Sequence, residues 1–141
     1  MPAEESSSDP VRPTRPGAAD RRRERSAEII AATRALFDAR GVRDGRIEDI
    51  AKAVGINRAI IYRHFSGKEE LFALTLVGYL DELVSELRSA DDPDRSATER
   101  LRLISAAFLD FGDRYPAFVD CALTLLRRPG DELMHLSLIH I

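Results

Sequence analysis

Amphipathic helical spacing runs through this chain from about residue 20, and no alternating strand pattern accompanies it. Apolar residues that recur at intervals of three and four lie on one face of a helix, so the pattern predicts an all-α fold. The first helix is predicted over about residues 20–39, with an apolar stripe that consists of Ile29, Ile30, Thr33, Leu36 and Phe37. Gly41 follows this stripe and predicts a left-handed stop.

A helix-turn-helix is predicted between residues 47 and 64. Its first helix spans about residues 47–53, and the inward side chains are Ile47, Ile50, Ala51 and Val54. A turn that contains Gly55 follows, and Asn57 is the predicted N-cap of a second helix over about residues 58–64. In this motif the second helix fits the major groove of DNA.

Three further helices are predicted after residue 66. Ser66 and Glu69 form a capping box that opens a long helix over about residues 67–89. Its predicted buried side consists of Leu71, Phe72, Leu74, Thr75, Gly78, Tyr79, Leu83 and Leu87. A second capping box, Ser96 with Glu99, opens a helix that reaches about Arg114.

Pro116 at a first helical position starts the sixth predicted helix. Arg127 and Arg128 are predicted in its last turn, where cations favour the helix dipole, and residues 129–130 end it. The predicted segments are a disordered tail over 1–19, a helix-turn-helix DNA-binding domain over 20–66, a partial helical regulatory domain over 67–135, and a suspected non-native tail over 136–141.

Charge is divided unevenly along the chain, although the formal net charge is only −3. Residues 21–68 contain 12 Lys and Arg against 6 Asp and Glu, a net of +6, whereas residues 71–141 contain 7 against 12, a net of −5. A basic N-terminal unit on an acidic remainder fits a module that meets a polyanion at one end. Chance clustering on a solvated surface is the alternative explanation for the charge alone.

The composition favours a soluble globular protein, and the pattern contains no catalytic constellation, phosphate-binding loop or His pair at metal spacing. We therefore expect no enzymatic activity, no cofactor and no metal site. The chain has neither an apolar signal segment nor a run long enough to span a bilayer, so a cytoplasmic protein without a membrane partner is expected.

Two features of the C-terminal half each have two possible interpretations. The single cysteine, Cys121, lies in an apolar helix and is predicted to be a buried thiol, with a thiol sensor as the alternative. Four apolar side chains form plain core or, as the family resemblance given in the next paragraph implies, line an effector pocket: Phe108, Phe111, Phe118 and Leu125.

At this point the sequence resembles a known family. From Arg21 to about Leu76 it is similar to the DNA-binding domain of TetR-type (tetracycline-repressor-like) transcriptional regulators, through IIAATRALFDARG, IEDIAKAVGI, IYRHF and KEELF in that order. Residues 96–130 loosely resemble the start of that family's ligand-binding domain. The resemblance implies a homodimeric repressor that binds a near-palindromic operator in double-stranded DNA and is released by a small-molecule effector.

The candidate DNA-binding residues lie on and around the second helix of the motif. They are Arg46, Asn57, Arg58, Ala59, Ile60, Tyr62, Arg63, His64 and Lys68. Arg58 in the first turn can donate two hydrogen bonds to guanine, with a phosphate contact as the alternative. Ile60 can contact a thymine methyl group or simply pack in the domain.

The resemblance implies that Tyr62 and His64 hold the phosphate backbone, although a lone histidine often caps or packs instead. Arg63 can reach a base or a phosphate, and Phe65 is predicted to be core. Lys68 lies in the first turn of a helix, where free amides also favour an anion. The arginines at 21–25 either follow the DNA backbone or form a solvated tail.

One departure from the family pattern concerns the start of the second helix. The family has Thr or Ser just before Ile47, where the hydroxyl caps the helix and binds a phosphate. This chain has Gly45 and Arg46 instead, which removes a cap worth about 0.5–2 kcal/mol. We expect Arg46 to replace the lost phosphate contact with a charged one.

The C-terminal end suggests that this chain is a truncated form of a longer protein. TetR-type regulators continue with helices that build the dimer interface, and residues 136–141 resemble the in-frame translation of a sequencing-library adaptor end. In that case the helices after residue 67 should expose apolar faces. Two interpretations compete with the repressor: a DNA-binding fragment that binds half-sites weakly, and an all-α ligand-binding or protein-interaction module without a DNA role.

Overall fold

The computed structural model describes residues 17–127, and within this range the chain forms helices, turns and bends. The six helices are α1 (Ala18–Arg40), α2 (Ile47–Val54), α3 (Arg58–His64), α4 (Lys68–Ala90), α5 (Ala97–Arg114) and α6 (Pro116–Leu126). The predicted all-α fold is therefore confirmed. The disordered tail predicted for 1–19 is wrong at its last two residues, because Ala18 and Ala19 are strong helix formers and already belong to α1. Residues 1–16 of that tail and the tail predicted for 136–141 lie outside the described residues.

Helices α1, α2 and α3 close around one apolar core. The predicted stripe of α1 points inward through Ile29, Thr33 and Phe37. Phe37 is 1 % exposed, and its ring meets the ring of Phe72 on α4 edge to face at 4.6 Å. A Cβ atom on the buried Gly45 would lie 2.5 Å from Cε1 of Phe37, so this loop position requires glycine.

The turn between α2 and α3 is fixed by backbone hydrogen bonds and one side chain. Gly55 has φ 76° and ψ 32°, the left-handed conformation that glycine adopts without strain. The amides of Gly55 and Ile56 donate back to carbonyls of α2, which ends the helix in a Schellman motif. The Asn57 side chain accepts from the amide of Ile60 at 3.1 Å, which confirms the predicted cap of α3.

Helix α4 joins the two halves of the molecule, because it packs against α1, α5 and α6. The predicted inward face of α4 is confirmed, since five of its eight side chains are buried and the others are half-buried. Tyr79 is fully buried, and its ring lies 5.9 Å from the rings of Tyr115 and Phe118. Phe111 completes this aromatic cluster at 5.3 Å from Phe118.

The predicted helix ends are partly wrong. The Ser66–Glu69 capping box does not form: Gly67 is the N-cap of α4 without a side-chain cap, and the Ser66 amide donates to the carboxylate of Glu70. The reason is that α4 begins one residue later than predicted. By contrast, Ser96 does cap α5, because its hydroxyl accepts from the amide of Glu99 at 3.3 Å.

Two other ends differ in detail from the sequence prediction. Gly41 has a positive φ of 82° but an extended ψ of 163°, so α1 ends without the left-handed conformation that the glycine predicted. Helix α6 ends at Leu126, so that Arg127 is its C-cap rather than a member of its last turn. Arg128 and the predicted stop at 129–130 lie outside the described residues.

A network of charges and aromatic rings connects α1 to α4 and to the start of α6. The Arg34 guanidinium lies 2.6 Å from the Glu82 carboxylate and 4.2 Å from the centroid of the Tyr79 ring. The Tyr79 hydroxyl donates to Asp38, and the Tyr115 hydroxyl donates to Glu82 at 3.0 Å. These bonds fix the position of α1 relative to α4.

Candidate nucleic-acid interface

Helix α3 presents its polar face to solvent and its apolar face to the core. Phe65 is 3 % exposed, which confirms it as core, and Ile61 on the same side of α3 is buried as well, at 1 %. Asn57, Arg58, Ala59, Tyr62 and Arg63 are exposed, whereas Ile60 and His64 are half-buried at the edge of this face. Candidate residues 57–64 therefore lie on one continuous surface around the second helix of the motif.

Arg58 is held from two sides. Its Nη1 atom lies 3.0 Å from Oε1 of Glu48 on α2, and both side chains remain about 60 % exposed, at 61 % and 59 %. Its guanidinium carbon also lies 5.8 Å from the ring centroid of Tyr62, one turn further along α3. The candidate base-reading group is thus oriented before any ligand is present.

His64 is anchored to α1 rather than free. Its Nδ1 atom is hydrogen-bonded to the Ser26 hydroxyl at 2.9 Å. Burial, together with the charges of Arg22 and Arg25, lowers the pKa of His64 below its ordinary value. The lowered pKa favours the neutral imidazole, and the packing alternative describes at least the Nδ1 edge of His64.

A basic cleft of about 500 Å³ runs between the start of α1 and the end of α3. Its lining consists of Ala18, Arg21, Arg22, Arg25, Ile60, Arg63 and His64. Arg22 donates to the Arg63 backbone carbonyl at 3.1 Å, so the arginine-rich turn of α1 is tied to the end of α3. Four of the lining residues are arginines, of which Arg25 pairs with Glu28 at 2.8 Å. Such a cleft suits a phosphate group.

Two further candidates flank α3. Arg46 is the exposed N-cap residue of α2 and makes no side-chain cap, as the departure from the family pattern predicts. Among residues 17–127 no acceptor pairs with its guanidinium. Lys68 is the first residue of α4, and its Nζ lies 4.9 Å from the centroid of the Phe72 ring.

The four apolar residues considered for an effector pocket do not line one common cavity. Phe111 and Phe118 are core, Phe108 is half exposed, and Leu125 is a core residue that also lines a cavity. That cavity measures about 240 Å³ and is lined by Val42, Arg43, Lys68, Glu69, Phe72, Cys121, Thr124 and Leu125. For the two phenylalanines that are buried, the plain-core alternative is the correct one.

Cys121 is buried, as predicted. Its thiol is 1 % exposed and donates to the Phe72 carbonyl at 3.7 Å. Burial raises the pKa of the Cys121 thiol to about 11, so the reactive thiolate is scarce at neutral pH. This environment disfavours the thiol-sensor alternative.

Sequence reasoning missed two residues of this surface. Glu48 pairs with Arg58 across the turn of the motif, and Ser26 binds His64 from a position 38 residues earlier. A signal for Glu48 existed, because α2 and α3 must meet at the turn and an acid on one often pairs with a cation on the other. Nothing in the sequence pointed to Ser26.

Membrane-spanning and metal-binding features are both absent from residues 17–127. No helix there has both the length and the apolar character that crossing a membrane requires. In the same range, no three His, Cys, Asp or Glu side chains are grouped so that they could hold a metal ion.

The N-terminal half of the chain is similar to a known protein family and to individual known proteins. Residues 29–75 match the model of the tetR family of bacterial regulatory proteins. The chain is 34 % identical over 90 residues to the HTH-type transcriptional activator FasR of Mycolicibacterium smegmatis. The aligned residues make up 64 % of this chain and 41 % of FasR. It is 36 % identical over 85 residues to the HTH-type transcriptional repressor KstR2 of Mycobacterium tuberculosis, and this alignment covers 60 % of this chain and 42 % of KstR2.

The fold matches a solved relative as well. The structure of the ketosteroid transcriptional regulator KstR2 of Mycobacterium tuberculosis superposes with a TM-score of 0.60 at 30 % identity, over 74 % of this chain and 56 % of that one. The chain spans less than half the length of the curated relatives FasR and KstR2. The similarity therefore covers the helix-turn-helix and some of the helices that come after it.

Proposed function

Because residues 29–75 belong to the TetR family of bacterial regulatory proteins, we propose that this chain binds double-stranded operator DNA through α3 and regulates transcription. The observation that carries the proposal is the exposed face of α3. It combines an arginine in the first turn, an exposed tyrosine and a second arginine on the second helix of a helix-turn-helix.

Base recognition falls to the first turn of α3. Arg58 has the donors for O6 and N7 of guanine, and Ala59 beside it is small enough to let the helix approach the bases. Asn57 uses its oxygen to cap the helix, which leaves its amide group free to donate. Ile60 is half-buried and offers a methyl-sized apolar contact to thymine at the edge of this face.

We assign contacts with the DNA backbone to side chains outside the first turn of α3. Tyr62 and Arg63 are exposed on α3, and Lys68 and Arg46 stand at the starts of α4 and α2. We expect His64 to contribute a hydrogen bond to a phosphate. If the Ser26 hydroxyl donates to Nδ1, the ring proton lies on Nε2 and can be donated to a phosphate oxygen.

We further propose that the full-length protein is a cytoplasmic homodimer and a repressor that an unknown small molecule releases. The apolar faces that α4, α5 and α6 expose support a dimer, because monomeric proteins seldom leave so many large apolar side chains in water. Of the relatives FasR and KstR2, the second is called a repressor and the first an activator. A reporter under the selected operator, with and without the protein, separates these two modes.

The alternative is an all-α ligand-binding or protein-interaction module without a DNA role. The same exposed apolar faces favour it, since they fit a protein partner as well as a second copy. It predicts that the chain binds no duplex DNA at any salt concentration. We expect no enzymatic activity and no cofactor under either proposal.

The test is an equilibrium titration of a labelled duplex, obtained by in vitro selection with the wild-type chain and followed by fluorescence anisotropy. Arg58→Ala should weaken binding to the selected sequence by about 1–3 kcal/mol. Arg102→Ala is the matched control, because Arg102 on α5 is 65 % exposed and also pairs with one glutamate, at 3.3 Å. Equal affinities for the two variants would contradict the assignment of α3 as the reading helix.

A further inference from the structure

An acidic side chain lies beside the candidate base-reading arginine. Glu48 lies on α2, is 59 % exposed, and holds Nη1 of Arg58 at 3.0 Å. Asp49 beside it faces Arg40 of α1 at 3.9 Å and is not part of the α3 surface. A carboxylate that approaches DNA phosphates opposes binding, so its place beside the reading arginine needs an explanation.

We propose that Glu48 determines sequence specificity by positioning Arg58. The inference rests on the proposed DNA-binding function. The Arg58 guanidinium has five N–H donors, and Glu48 occupies only one side of it. The other donors remain available for O6 and N7 of a guanine, while the ring of Tyr62 limits the movement of the plane.

The Glu48 carboxylate makes Arg58 favour a contact with a base over a contact with a phosphate. It neutralises part of the charge of Arg58, which weakens the attraction of this arginine to any phosphate of any sequence. It leaves a bidentate contact with guanine in place, because that contact depends on geometry as well as charge. A pre-oriented arginine also loses less side-chain freedom when it binds.

Arg63 provides the internal contrast. It lies on the same exposed face of α3, yet no acid among residues 17–127 pairs with its guanidinium. We therefore expect Arg63 to follow the phosphates and Arg58 to read a base. The pairing with Glu48 is the feature that separates the two arginines.

The experiment compares the wild-type chain with Glu48→Gln on the selected duplex, on the same duplex with the guanine read by Arg58 replaced, and on an unrelated duplex. That guanine is the position whose preference disappears when selection is repeated with Arg58→Ala. Glu48→Gln should lower discrimination at this position by about five- to tenfold. It should tighten binding to the unrelated duplex, with a log–log salt slope steeper by about 0.9.

The matched control is Glu99→Gln. Glu99 lies on α5, pairs with Arg102 at 3.3 Å and Arg95 at 3.8 Å, and its replacement changes the net charge by the same amount. This control should leave discrimination as it is in the wild type. Circular dichroism melts of both variants establish that they are folded under the binding conditions.

A double-variant cycle tests whether Glu48 works through Arg58. In the Arg58→Ala background, Glu48→Gln should leave discrimination unchanged. If Glu48→Gln still alters discrimination there, Glu48 reads a base itself and the positioning role is overturned. Unchanged discrimination in the single variant also overturns the inference while DNA binding stands, whereas a wild-type chain without salt-dependent binding overturns the proposed function together with it.

Discussion

The two halves of the molecule treat apolar surface differently. Among the described residues of α1–α3 and their loops, Tyr62 is the one large apolar side chain that is exposed, at 44 %. Helices α4–α6 expose nine: Val77, Leu80, Val84, Leu101, Phe108, Leu109, Val119, Leu123 and Leu126. The first unit, together with Phe72 of α4, buries nearly all of its large apolar side chains, whereas the second leaves such side chains exposed on each of its three helices.

Two regions of the molecule also differ in how exposed their arginines are and in how many partners those arginines have. At the DNA-facing surface, Arg58 and Arg63 are exposed; Arg58 pairs with one carboxylate and lies near one aromatic ring, and Arg63 pairs with no carboxylate of residues 17–127. At the α1–α4 junction, Arg34 is 24 % exposed and is enclosed by two carboxylates and two aromatic rings. The first arrangement keeps cations available for a ligand, and the second uses a cation to hold two helices together.

Phe37→Ala should break the first half most severely. The ring is buried, contacts Phe72, and packs over Gly45, so its loss leaves a large cavity. We expect the free energy of unfolding to fall by about 3–5 kcal/mol. Urea unfolding followed by circular dichroism measures it, and a loss below about 1 kcal/mol would show that α1–α3 do not close around this ring.

Glu82→Gln should have a smaller effect that depends on pH. Partial burial alone would raise the pKa of Glu82, but the hydrogen bonds from Arg34 and Tyr115 and the nearby charges outweigh it and lower the pKa. A lowered pKa means stability that is present above the ordinary glutamate value and is lost as the pH falls through the folded value. We expect a loss of roughly 1 kcal/mol at pH 7, discounted for solvent screening.

The same difference between wild type and Glu82→Gln should shrink below pH ~4.3, the ordinary glutamate value. Urea midpoints measured at pH 7 and again in steps toward pH 3 give this dependence. Glu99→Gln on the outer side of α5 serves as the control, because its pairs with Arg95 and Arg102 are solvent-exposed. A Glu82→Gln effect that does not change with pH would contradict an ionised Glu82 in the junction.

Leu109→Ser should have the smallest effect on stability. This side chain is 66 % exposed on α5, so we expect the free energy of unfolding to change by less than ~0.5 kcal/mol. Self-association measured by sedimentation should fall, because the apolar surface shrinks. Arg102→Ser on the same helix is similarly exposed and should leave association unchanged. Equal association of wild type and Leu109→Ser would mean that Leu109 is not part of an associating surface.

Most of the fold could be predicted because its signals are local. The stripe from Ile29 to Phe37, Gly55 in the turn, and the caps Asn57 and Ser96 each act within one helical turn of their own sequence position. The Ser66 prediction failed because α4 begins one residue later than predicted, so that Glu70 instead of Glu69 accepts from the Ser66 amide; with glutamates at both positions, the spacing alone could not distinguish them.

The electrostatics of the candidate site could not be predicted, because its partners are distant in sequence. His64 meets Ser26 across 38 positions, and Arg34 meets Glu82 across 48. Such pairs depend on how α1 lies against α3 and α4, which no local pattern specifies. The candidate DNA-binding residues themselves were chosen by motif position, and their contacts with bases and phosphates remain predictions.

The most direct test of the central claim, that α3 and its flanking cations meet DNA, is the salt dependence of the wild-type chain on a short duplex between about 50 and 200 mM salt. Contacts from Arg46, Arg63, Lys68 and the arginines of the α1 cleft predict a log–log slope of about −3 or steeper. A slope near zero, or no binding at the lowest salt, would contradict the account.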